Sequence, residues 1–310
     1  MFDSLRSPIA VVAHDAGAAN HIISWVKNTC HEPIRACVKG PALNLWKRAF
    51  PHANTCDELA ATLAKTNTLI SGTGWASSLE YDARKMAREL GIKTIAVIDH
   101  WTNYRERFVR EEIEVLPDEI WVTDEHAKML AKSIFPNVQI ILLPNKYLDE
   151  LVHEVRIYER INADRTGNNL LYVLEPIREA WGADVVAGEF AGLDFFIKNL
   201  VILGLSDDLS IKLRPHPSDS IGKYDQWINA HKGIKLSLDE SRSLAESIAW
   251  SDVVFGCQTY AMVVALAADK RVVSSIPPWA PPCVLPQPGI IKLADLLPQE
   301  FSAVNIFKLK

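Results

Sequence analysis

The sequence predicts an α/β protein with two Rossmann-like domains whose parallel sheets face a central cleft. Along its 310 residues, short apolar runs alternate with helical patterns, which is the rhythm of parallel βαβ units. That rhythm stops once, at the polar segment 161–169, and then starts again. We therefore expect a first domain over 1–160, a second over 168–310, and ligands in the loops that follow the strands.

The first domain is expected to contain six strands, because six apolar runs are bounded by turn residues. They lie at 8–14, 34–39, 68–72, 93–99, 119–124 and 138–143. Helical patterns accompany them at 18–27, 41–50, 56–64, 77–90, 125–134 and 146–161.

The second domain repeats this organisation with five expected strands. They lie at 169–176, 210–217, 234–238, 252–256 and 271–277, and the helical patterns at 190–203, 224–231, 241–249 and 260–269. The run 271–277 is expected to be the last strand, and the Pro-rich stretch 279–288 is expected to cross the surface.

Composition restricts the function classes. The net charge of −5 gives no electrostatic case for nucleic-acid binding. Five scattered cysteines without a CxxC pair argue against a disulfide framework and a zinc site, which favours a cytoplasmic location. No apolar run approaches the roughly 18 residues of a membrane span, so a lipid-linked substrate would be met only peripherally, at the inner face of the membrane. Neither a P-loop nor an HExxH or DxD motif indicates a metal or cofactor.

The strongest motif of the second domain is Arg214-Pro215-His216-Pro217 at the end of a strand. The two prolines cannot donate to a β-ladder and restrict the residues before them, so His216 is expected in a rigid, extended loop. A histidine there can donate to a phosphate or protonate a leaving group, and Arg214 can bind substrate. The alternative is a structural turn with an incidental histidine.

Two further groups follow strands of the second domain. Cys257-Gln258-Thr259 lies between a buried strand and an apolar helix, where backbone N–H groups suit an anion. Simple helix capping by Thr259 is the alternative. Glu175 ends the first strand and can accept a hydrogen bond from a ribose or a base, or be an ordinary exposed carboxylate.

In the first domain, His14-Asp15-Ala16-Gly17 follows the first strand. The small residues allow a ligand to approach the helix start, although the pattern is not the GxGxxG of dinucleotide-binding proteins. Asp15 is the first candidate for a general base that deprotonates an acceptor hydroxyl. Capping of the next helix is its alternative role.

Two more loops of the first domain carry candidate substrate contacts. One contains Gly74, after the third strand, and the other contains Asp99, His100 and Asn103, after the fourth. Asp99 is the second candidate base, and an Asp99–His100 hydrogen bond that only holds the loop is the alternative. The remaining histidines are expected at the surface, at positions His21, His31, His52, His126, His153 and His231.

Together these residues resemble GT-B glycosyltransferases. The order of elements and the segment 237–277 are similar to the nucleotide-sugar half of that group, and Arg214-Pro215-His216-Pro217 resembles the His-Pro motif of bacterial sialyltransferases and capsule-polymer transferases. The resemblance implies that His216 assists the departing nucleotide and that Gln258 and Thr259 bind its phosphate. The acidic base motif of those sialyltransferases has only Asp15-Ala16-Gly17 as a distant counterpart.

The resemblance implies metal-independent transfer of a sugar, such as a CMP-activated nonulosonic acid, in surface polysaccharide synthesis. The second domain would bind the nucleotide-sugar donor, and the first would bind a glycan or lipid-linked acceptor. A nucleotide-sugar 2-epimerase and a non-catalytic nucleotide or glycan binder are the alternatives.

Overall fold

The computed structural model describes residues 5–29, 34–161, 168–182, 186–203 and 209–297. Contacts divide the chain into two compact units, Met1–Asp149 and Glu150–Lys310. Each unit contains one six-stranded sheet in which every pair of neighbouring strands is parallel. This confirms the predicted pair of Rossmann-like α/β domains.

The sheet of the first unit has the strand order β2-β1-β3-β4-β7-β8. Its strands and those of a small hairpin are β1 (Ile9–Ala13), β2 (Ile34–Val38), β3 (Thr68–Ser71), β4 (Lys93–Val97), β5 (Val109–Arg110), β6 (Ile113–Glu114), β7 (Glu119–Val122) and β8 (Gln139–Leu142). The helices are α1 (Ala16–Thr29), α2 (Gly40–Ala49), α3 (Leu59–Leu63), α4 (Leu79–Glu89) and α5 (Glu125–Ile134). Because β2 and β3 lie on opposite sides of β1, the order reverses between β1 and β3.

The sheet of the second unit has the order β11-β10-β9-β12-β13-β14. Its strands are β9 (Asn168–Val173), β10 (Leu209–Arg214), β11 (Leu236–Leu238), β12 (Val253–Gly256), β13 (Arg271–Ser274) and β14 (Ile290–Lys292). The helices are α6 (Lys146–Ile161), α7 (Gly188–Lys198), α8 (Asp225–Ala230), α9 (Leu244–Trp250) and α10 (Tyr260–Ala267). Here the order reverses between β9 and β12.

Alternating side chains of β1 explain why the first sheet is buried on both faces. Val11 packs into the cluster that contains Ile22 of α1, whereas Val12 packs into the cluster that contains Leu79 and Ala83 of α4. Successive side chains of a strand point to opposite faces, so a continuous apolar run requires a cover on each side. The apolar run 8–14 of the sequence is of this kind.

Two features differ from the expectations. The run 271–277 is not the last strand, because β14 follows the Pro-rich stretch and pairs with β13. The hairpin β5–β6 was not expected, since each of its strands has only two residues. The polar segment 161–169 lies largely outside the described residues, as does His31.

Helix α6 was placed with the first domain by the sequence, yet its ion pairs and side-chain hydrogen bonds reach the second unit. Glu159 pairs with Lys270 at 2.6 Å, and Glu154 accepts a hydrogen bond from Ser243 at 2.9 Å. The boundary between the two compact units accordingly falls within α6, between Asp149 and Glu150.

The expectation that His21 lies at the surface was wrong. His21 is buried in α1, where its ring stacks on Trp25 and meets the edge of Tyr147. Burial lowers its pKa to about 4, against the opposing effect of nearby carboxylates. A histidine on the apolar face of a helix is therefore a neutral core residue here.

Within the described ranges, no helix is both long enough and apolar enough to cross a bilayer. The four cysteines in this part of the chain, Cys37, Cys56, Cys257 and Cys283, are free thiols, and Cys30 lies outside it.

Candidate functional site

Several predicted site residues lie after the strands at which the strand order reverses, whereas those of the Asp99 loop follow β4 and His216 follows β10. In open parallel sheets, ligands bind outside the carboxyl ends of the strands at this switch point. In the first unit the loops after β1 and β3 carry Asp15 and Gly74. In the second unit the loops after β9 and β12 carry Glu175 and Gln258.

Asp15 both caps α1 and presents a carboxylate oxygen without a partner. Its Oδ1 accepts hydrogen bonds from the backbone N–H groups of Gly17 at 2.9 Å and Ala18 at 3.2 Å. Its Oδ2 is buried and has no hydrogen-bond partner within the described residues. Burial, and then the charge of Asp99, raise the pKa of Asp15, although the two N–H groups and Arg107 act in the opposite direction. The sequence offered capping and proton transfer as alternatives, and the geometry is compatible with both.

Two glycines make room for this carboxylate and for its neighbour. A Cβ atom on Gly74 would lie 2.5 Å from Asp15 Oδ2, and one on Gly17 would lie 1.7 Å from Asp99 Oδ2. No side chain fits at either position without displacing a carboxylate. The loops after β1, β3 and β4 are therefore packed around two aspartates.

Asp99 is ion-paired, and its partner reaches an exposed aromatic ring. Arg107 Nη1 donates to Asp99 Oδ1 at 2.9 Å and to Thr73 Oγ1 at 3.1 Å. The guanidinium carbon of Arg107 lies 5.0 Å from the ring centre of Trp75, whose side chain is 52% exposed. Arg107, whose position is fixed by Asp99, thus packs on one face of the exposed Trp75 ring in a cation–π contact.

The histidines of these loops have different partners from those expected. His100 Nδ1 contacts Thr102 Oγ1 at 3.1 Å, so the loop is not held by an Asp99–His100 bond as one alternative proposed. Burial lowers the pKa of His100, with Asp99 opposing the shift. His14 packs against Gly40, which has a φ of +54° and where a Cβ would lie 2.6 Å from the His14 Nε2 atom.

Asn103 occupies a separate hollow on the first unit. With a φ of +56°, it lines an open cavity of about 570 Å³ between the loop after β4 and helix α5. The other lining residues are Trp101, Tyr104, Arg105, Glu106, Leu130, Ser133 and Ile134. None of the carboxylates described above belongs to this lining.

A carboxyl group that sequence reasoning missed lies behind Asp15. Glu80, in the first turn of α4, is fully buried, and its Oε1 accepts the backbone N–H of His14 at 2.9 Å. Its Oε2 is buried and lacks a partner among the described residues. Burial, and then the charge of Asp15, raise the pKa of Glu80 to about 7. A Cβ on Gly72 would lie 2.6 Å from Glu80 Oε1, so this turn also requires a glycine.

Arg84 follows one turn later and is also fully buried. It donates to Gly72 O at 2.8 Å, to Ser71 Oγ at 3.1 Å and to Arg107 O at 3.2 Å, and it lies over the ring of Phe108. Burial lowers its pKa to about 10. Glu80 and Arg84 have the i, i+4 spacing that usually indicates a solvent-exposed ion pair on a helix. Here both are buried, and Arg84 binds the end of β3 and the backbone of Arg107.

In the second unit, the turn before α10 is closed by a carboxylate. Glu175 Oε1 accepts the backbone N–H of Gln258 at 2.8 Å, and Thr259 Oγ1 caps the helix by accepting from Ala261 N at 3.4 Å. Burial raises the pKa of Glu175 to about 7 against this N–H donor, and the charge of Glu189 adds to the increase. Capping by Thr259 is therefore present, and one amide expected to bind an anion already has an internal acceptor.

Cys257 is a buried packing residue, and its carbonyl oxygen accepts hydrogen bonds from two residues that line a cavity. Its Sγ lies 3.6 Å from Tyr172 Oη, and its carbonyl accepts from Ser274 Oγ at 2.7 Å and from Cys283 Sγ at 3.6 Å. Burial raises the pKa of this thiol, which makes it a poor nucleophile. Ser274 and Cys283 line a cavity of about 570 Å³ at the carboxyl ends of β13 and β14, with Ile276, Pro282 and Lys292 on other walls. A cavity of this size is in the range of small-molecule sites.

His216 is held in a fixed tautomer by its own loop. The backbone N–H of Ser218 donates to His216 Nδ1 at 3.1 Å, and the Ser218 hydroxyl lies 2.8 Å from the same nitrogen. Because Nδ1 is an acceptor, a neutral imidazole carries its proton on Nε2. Burial lowers the pKa of His216, with Asp219 opposing the shift. The ring is therefore an Nε2–H donor at neutral pH.

A charged network fixes the backbone of this loop. Asp219 accepts the His216 N–H at 2.9 Å, and Lys223 Nζ contacts Asp219 Oδ1 at 2.7 Å and Glu189 Oε1 at 2.5 Å. Glu189 also accepts the N–H of Arg178 at 2.6 Å. The loops after β9 and β10 are thus joined through one lysine, and sequence spacing gave no signal for it.

Arg214 has an internal partner rather than an open guanidinium. Its Nη1 donates to Asp239 Oδ2 at 2.6 Å and to Ser247 Oγ at 2.7 Å, and the Asp239 side chain is completely buried. Burial acts to raise the pKa of Asp239, but hydrogen bonds from Ser241, Ser247 and Arg214 outweigh it and lower the pKa. The geometry gives Arg214 a structural role.

Among the residues that the structure describes, no group of three or more His, Cys, Asp or Glu side chains is arranged to hold a metal ion.

No protein-family model matches the chain, and no curated protein sequence matches it. Solved structures do match it, and most of each chain is covered. A UDP-GlcNAc 2-epimerase from Neisseria meningitidis bound to UDP-GlcNAc has 12% identity and a TM-score of 0.55, covering 86% of this chain and 81% of its own. A candidate UDP-N-acetylglucosamine 2-epimerase from Listeria monocytogenes has 12% identity and a TM-score of 0.61, with coverage of 86% and 79%. A UDP-forming α,α-trehalose-phosphate synthase from Burkholderia xenovorans has 11% identity and a TM-score of 0.54, with coverage of 94% and 89%.

These similarities establish the fold. The chain has the two parallel-sheet domains of the GT-B class. The similar solved structures of this class are nucleotide-sugar enzymes and include both glycosyltransferases and epimerases. At 11–12% identity they do not define the reaction of this chain.

Proposed function

We propose that this protein is a metal-independent glycosyltransferase that uses a nucleotide-sugar donor. The second unit binds the donor and the first unit binds the acceptor glycan. The observation that carries the proposal is the tautomer of His216, since an Nε2–H at the end of a central strand suits the oxygen of a departing phosphate.

The proposed reaction uses one carboxylate and one imidazole. Asp15 or Asp99 takes the proton of an acceptor hydroxyl, whose oxygen forms a bond to the anomeric carbon of the donor. The bond from that carbon to the phosphate oxygen breaks, and the nucleotide leaves with its new charge accepting a hydrogen bond from His216 Nε2. The cavity beside Cys257 and Cys283 supports binding of the nucleoside part in the same unit.

On the acceptor side, the exposed ring of Trp75 supports binding of a sugar. Its backbone neighbour Gly74 is tied down because Arg110 donates to Gly74 O at 3.0 Å, and its ring is held by Arg107. A fixed aromatic face presents apolar area at low entropic cost, and the adjacent carboxylates can accept from hydroxyls. A lipid-linked or free glycan is the acceptor class that fits both properties.

The test of the proposal is a pair of histidine variants. Addition of CMP, CDP, UDP or GDP should raise the melting temperature of the wild type, since a ligand that binds only the folded state stabilises it. His216→Ala should reduce turnover of the matching nucleotide sugar by about 10²–10⁴-fold. His231→Ala, in the same unit, should leave turnover unchanged. Equal turnover in all three proteins would remove His216 from the mechanism.

A nucleotide-sugar 2-epimerase is the second candidate, and the carboxyl groups of the first unit favour it. Asp99 is ion-paired with Arg107, whereas the pKa values of Asp15 and Glu80 are raised. A buried carboxyl with a raised pKa can keep a proton and act as an acid, and an ion-paired carboxylate nearby can act as a base. Incubation of the donor alone in D₂O separates the candidates, because only an epimerase would incorporate deuterium into the sugar without an acceptor.

A further inference from the structure

Glu80 has a position that neither the sequence motifs nor the proposed reaction explains. It is completely buried at the start of α4, with one oxygen engaged by the backbone that carries Asp15 and the other without a partner in the described part of the chain. Buried polar atoms without partners are few in native proteins, and each requires an explanation. Asp15 Oδ2 is in the same condition. Two carboxyls joined by one turn of backbone therefore each present a buried oxygen that has no partner among the residues that the structure describes.

The contacts of Glu80 fix the turn after β1. Its Oε1 accepts the N–H of His14 at 2.9 Å, and it packs against Gly72 so closely that any side chain there would collide with it. The carboxyl thereby fixes the peptide from which the Asp15 side chain projects. An orientation of this kind limits the positions that the Asp15 carboxylate can adopt.

The surrounding charges do not neutralise both carboxyls. Arg84 is the buried cation of α4, and its Nη1 and Nη2 donate to Ser71, to Gly72 and to the Arg107 backbone. Its charge lowers the pKa of Glu80, but burial and the charge of Asp15 outweigh it and the pKa is raised. Arg107 is paired with Asp99. Asp99 opposes ionisation of Asp15, and the charge of Arg107 favours it. Two like charges in a buried position disfavour each other, so one carboxyl keeps its proton.

We propose that Glu80 is a positioning residue for Asp15: it fixes the turn that carries Asp15, and the two carboxyls form a buried pair that retains one proton at neutral pH. The raised pKa of Glu80, about 7, is consistent with this assignment. Where Asp15 acts as the base of the proposed transfer, a protonated Glu80 leaves the negative charge on Asp15. This extension rests on the proposed function, but the pairing itself does not.

The pairing can be measured without any substrate. Full-length protein labelled with ¹³C at the Asp and Glu carboxyl carbons is titrated by NMR, and the Asp15 signal is assigned with Asp15→Asn. In the wild type, the Asp15 carbon should show a second inflection near neutral pH when Glu80 ionises. Glu80→Gln keeps an oxygen to accept the N–H of His14 but cannot ionise, so this inflection should disappear.

Glu175→Gln is the matched control, because Glu175 also titrates near pH 7 but belongs to the other unit. It should leave the Asp15 curve unchanged. An Asp15 curve in the wild type without an inflection near neutral pH would overturn the proposal, whether or not Glu80→Gln folds. An inflection that persists in Glu80→Gln would also overturn it. If the titration behaves as expected and no nucleotide sugar is turned over, the proposed function fails and the pairing stands.

Discussion

Replacement of Arg214 by leucine separates a structural from a ligand-binding role for this residue. Arg214 contributes the donor that is 2.6 Å from the buried carboxylate of Asp239. The leucine side chain keeps apolar volume at the end of β10 but removes the charge. Asp239 then remains in a buried position without the charged donor that lies 2.6 Å from its carboxylate.

The expected loss of stability follows from the buried charge. Removal of one partner of a buried ion pair costs about 3–5 kcal/mol, because the other charge is left uncompensated. Hydrogen bonds from Ser241 and Ser247 remain, and Lys212 Nζ lies 4.0 Å away, so we expect the lower end, about 3 kcal/mol. For a unit of this size that corresponds to a fall in melting temperature of roughly 6–12 °C.

Urea unfolding of the full chain at pH 7, together with hydrogen exchange of peptides from β9 and β10, measures this loss in the second unit. Asp239→Asn combined with Arg214→Leu should recover part of it, because no orphaned charge remains. Arg271→Leu, at an exposed position of β13, is the control and should change stability by less than about 0.5 kcal/mol. An Arg214→Leu protein of unchanged stability that no longer binds nucleotides would refute the structural role and restore the ligand role predicted from the sequence.

Three other predictions concern the first unit and the aromatic groups. The pKa of Glu80 is raised from 4.5 to about 7 in the folded state, so the stability that its protonated carboxyl contributes is complete below about pH 4.5 and is lost as the pH rises through 7. Glu80→Gln, which cannot ionise, should therefore be more stable than the wild type by about 3 kcal/mol at pH 8. Equal urea unfolding curves of the two proteins at that pH would contradict this. Gly17→Ala should destabilise by about 1–3 kcal/mol in urea unfolding, since its methyl group would lie 1.7 Å from a carboxylate oxygen, whereas Gly233→Ala, with open space around it, should be neutral. Trp75→Ala should abolish saturation-transfer NMR signals from an acceptor sugar, and Trp279→Ala, equally exposed in the second unit, should keep them; loss in both variants would point to a general effect.

The positions of most strands could be predicted from the sequence, because a strand buried on both faces of a parallel sheet is a continuous apolar run. The strands from β1 to β4 and from β9 to β13 were all expected within a few residues of their bounds. Strand β14 was missed because it has three residues and follows a Pro-rich stretch. A short edge strand carries too few apolar positions to be distinguished from a loop.

The site was only partly accessible from the sequence. Asp15, Glu175 and Gln258 were predicted because each follows an apolar run of the sequence, and the structure places them after β1, β9 and β12, where the strand order reverses. Glu80 and Arg84 were missed because their spacing on a helix is that of an exposed ion pair, and only the packing of α4 on the sheet buries them. Arg214 was assigned to substrate because its partner, Asp239, follows a different strand.

The central claim is that this GT-B chain acts on a nucleotide sugar with His216 as the donor to the leaving phosphate. Its most direct test is nucleotide release from CMP-, CDP-, UDP- and GDP-sugars in the presence of EDTA and a mixture of uncharged acceptor glycans. We predict that the wild type releases one nucleotide, that His216→Ala loses at least about two orders of magnitude of that rate, and that His231→Ala retains it. Release by the wild type and His216→Ala at the same rate, or no release and no binding of any of the four nucleotides, would contradict the claim.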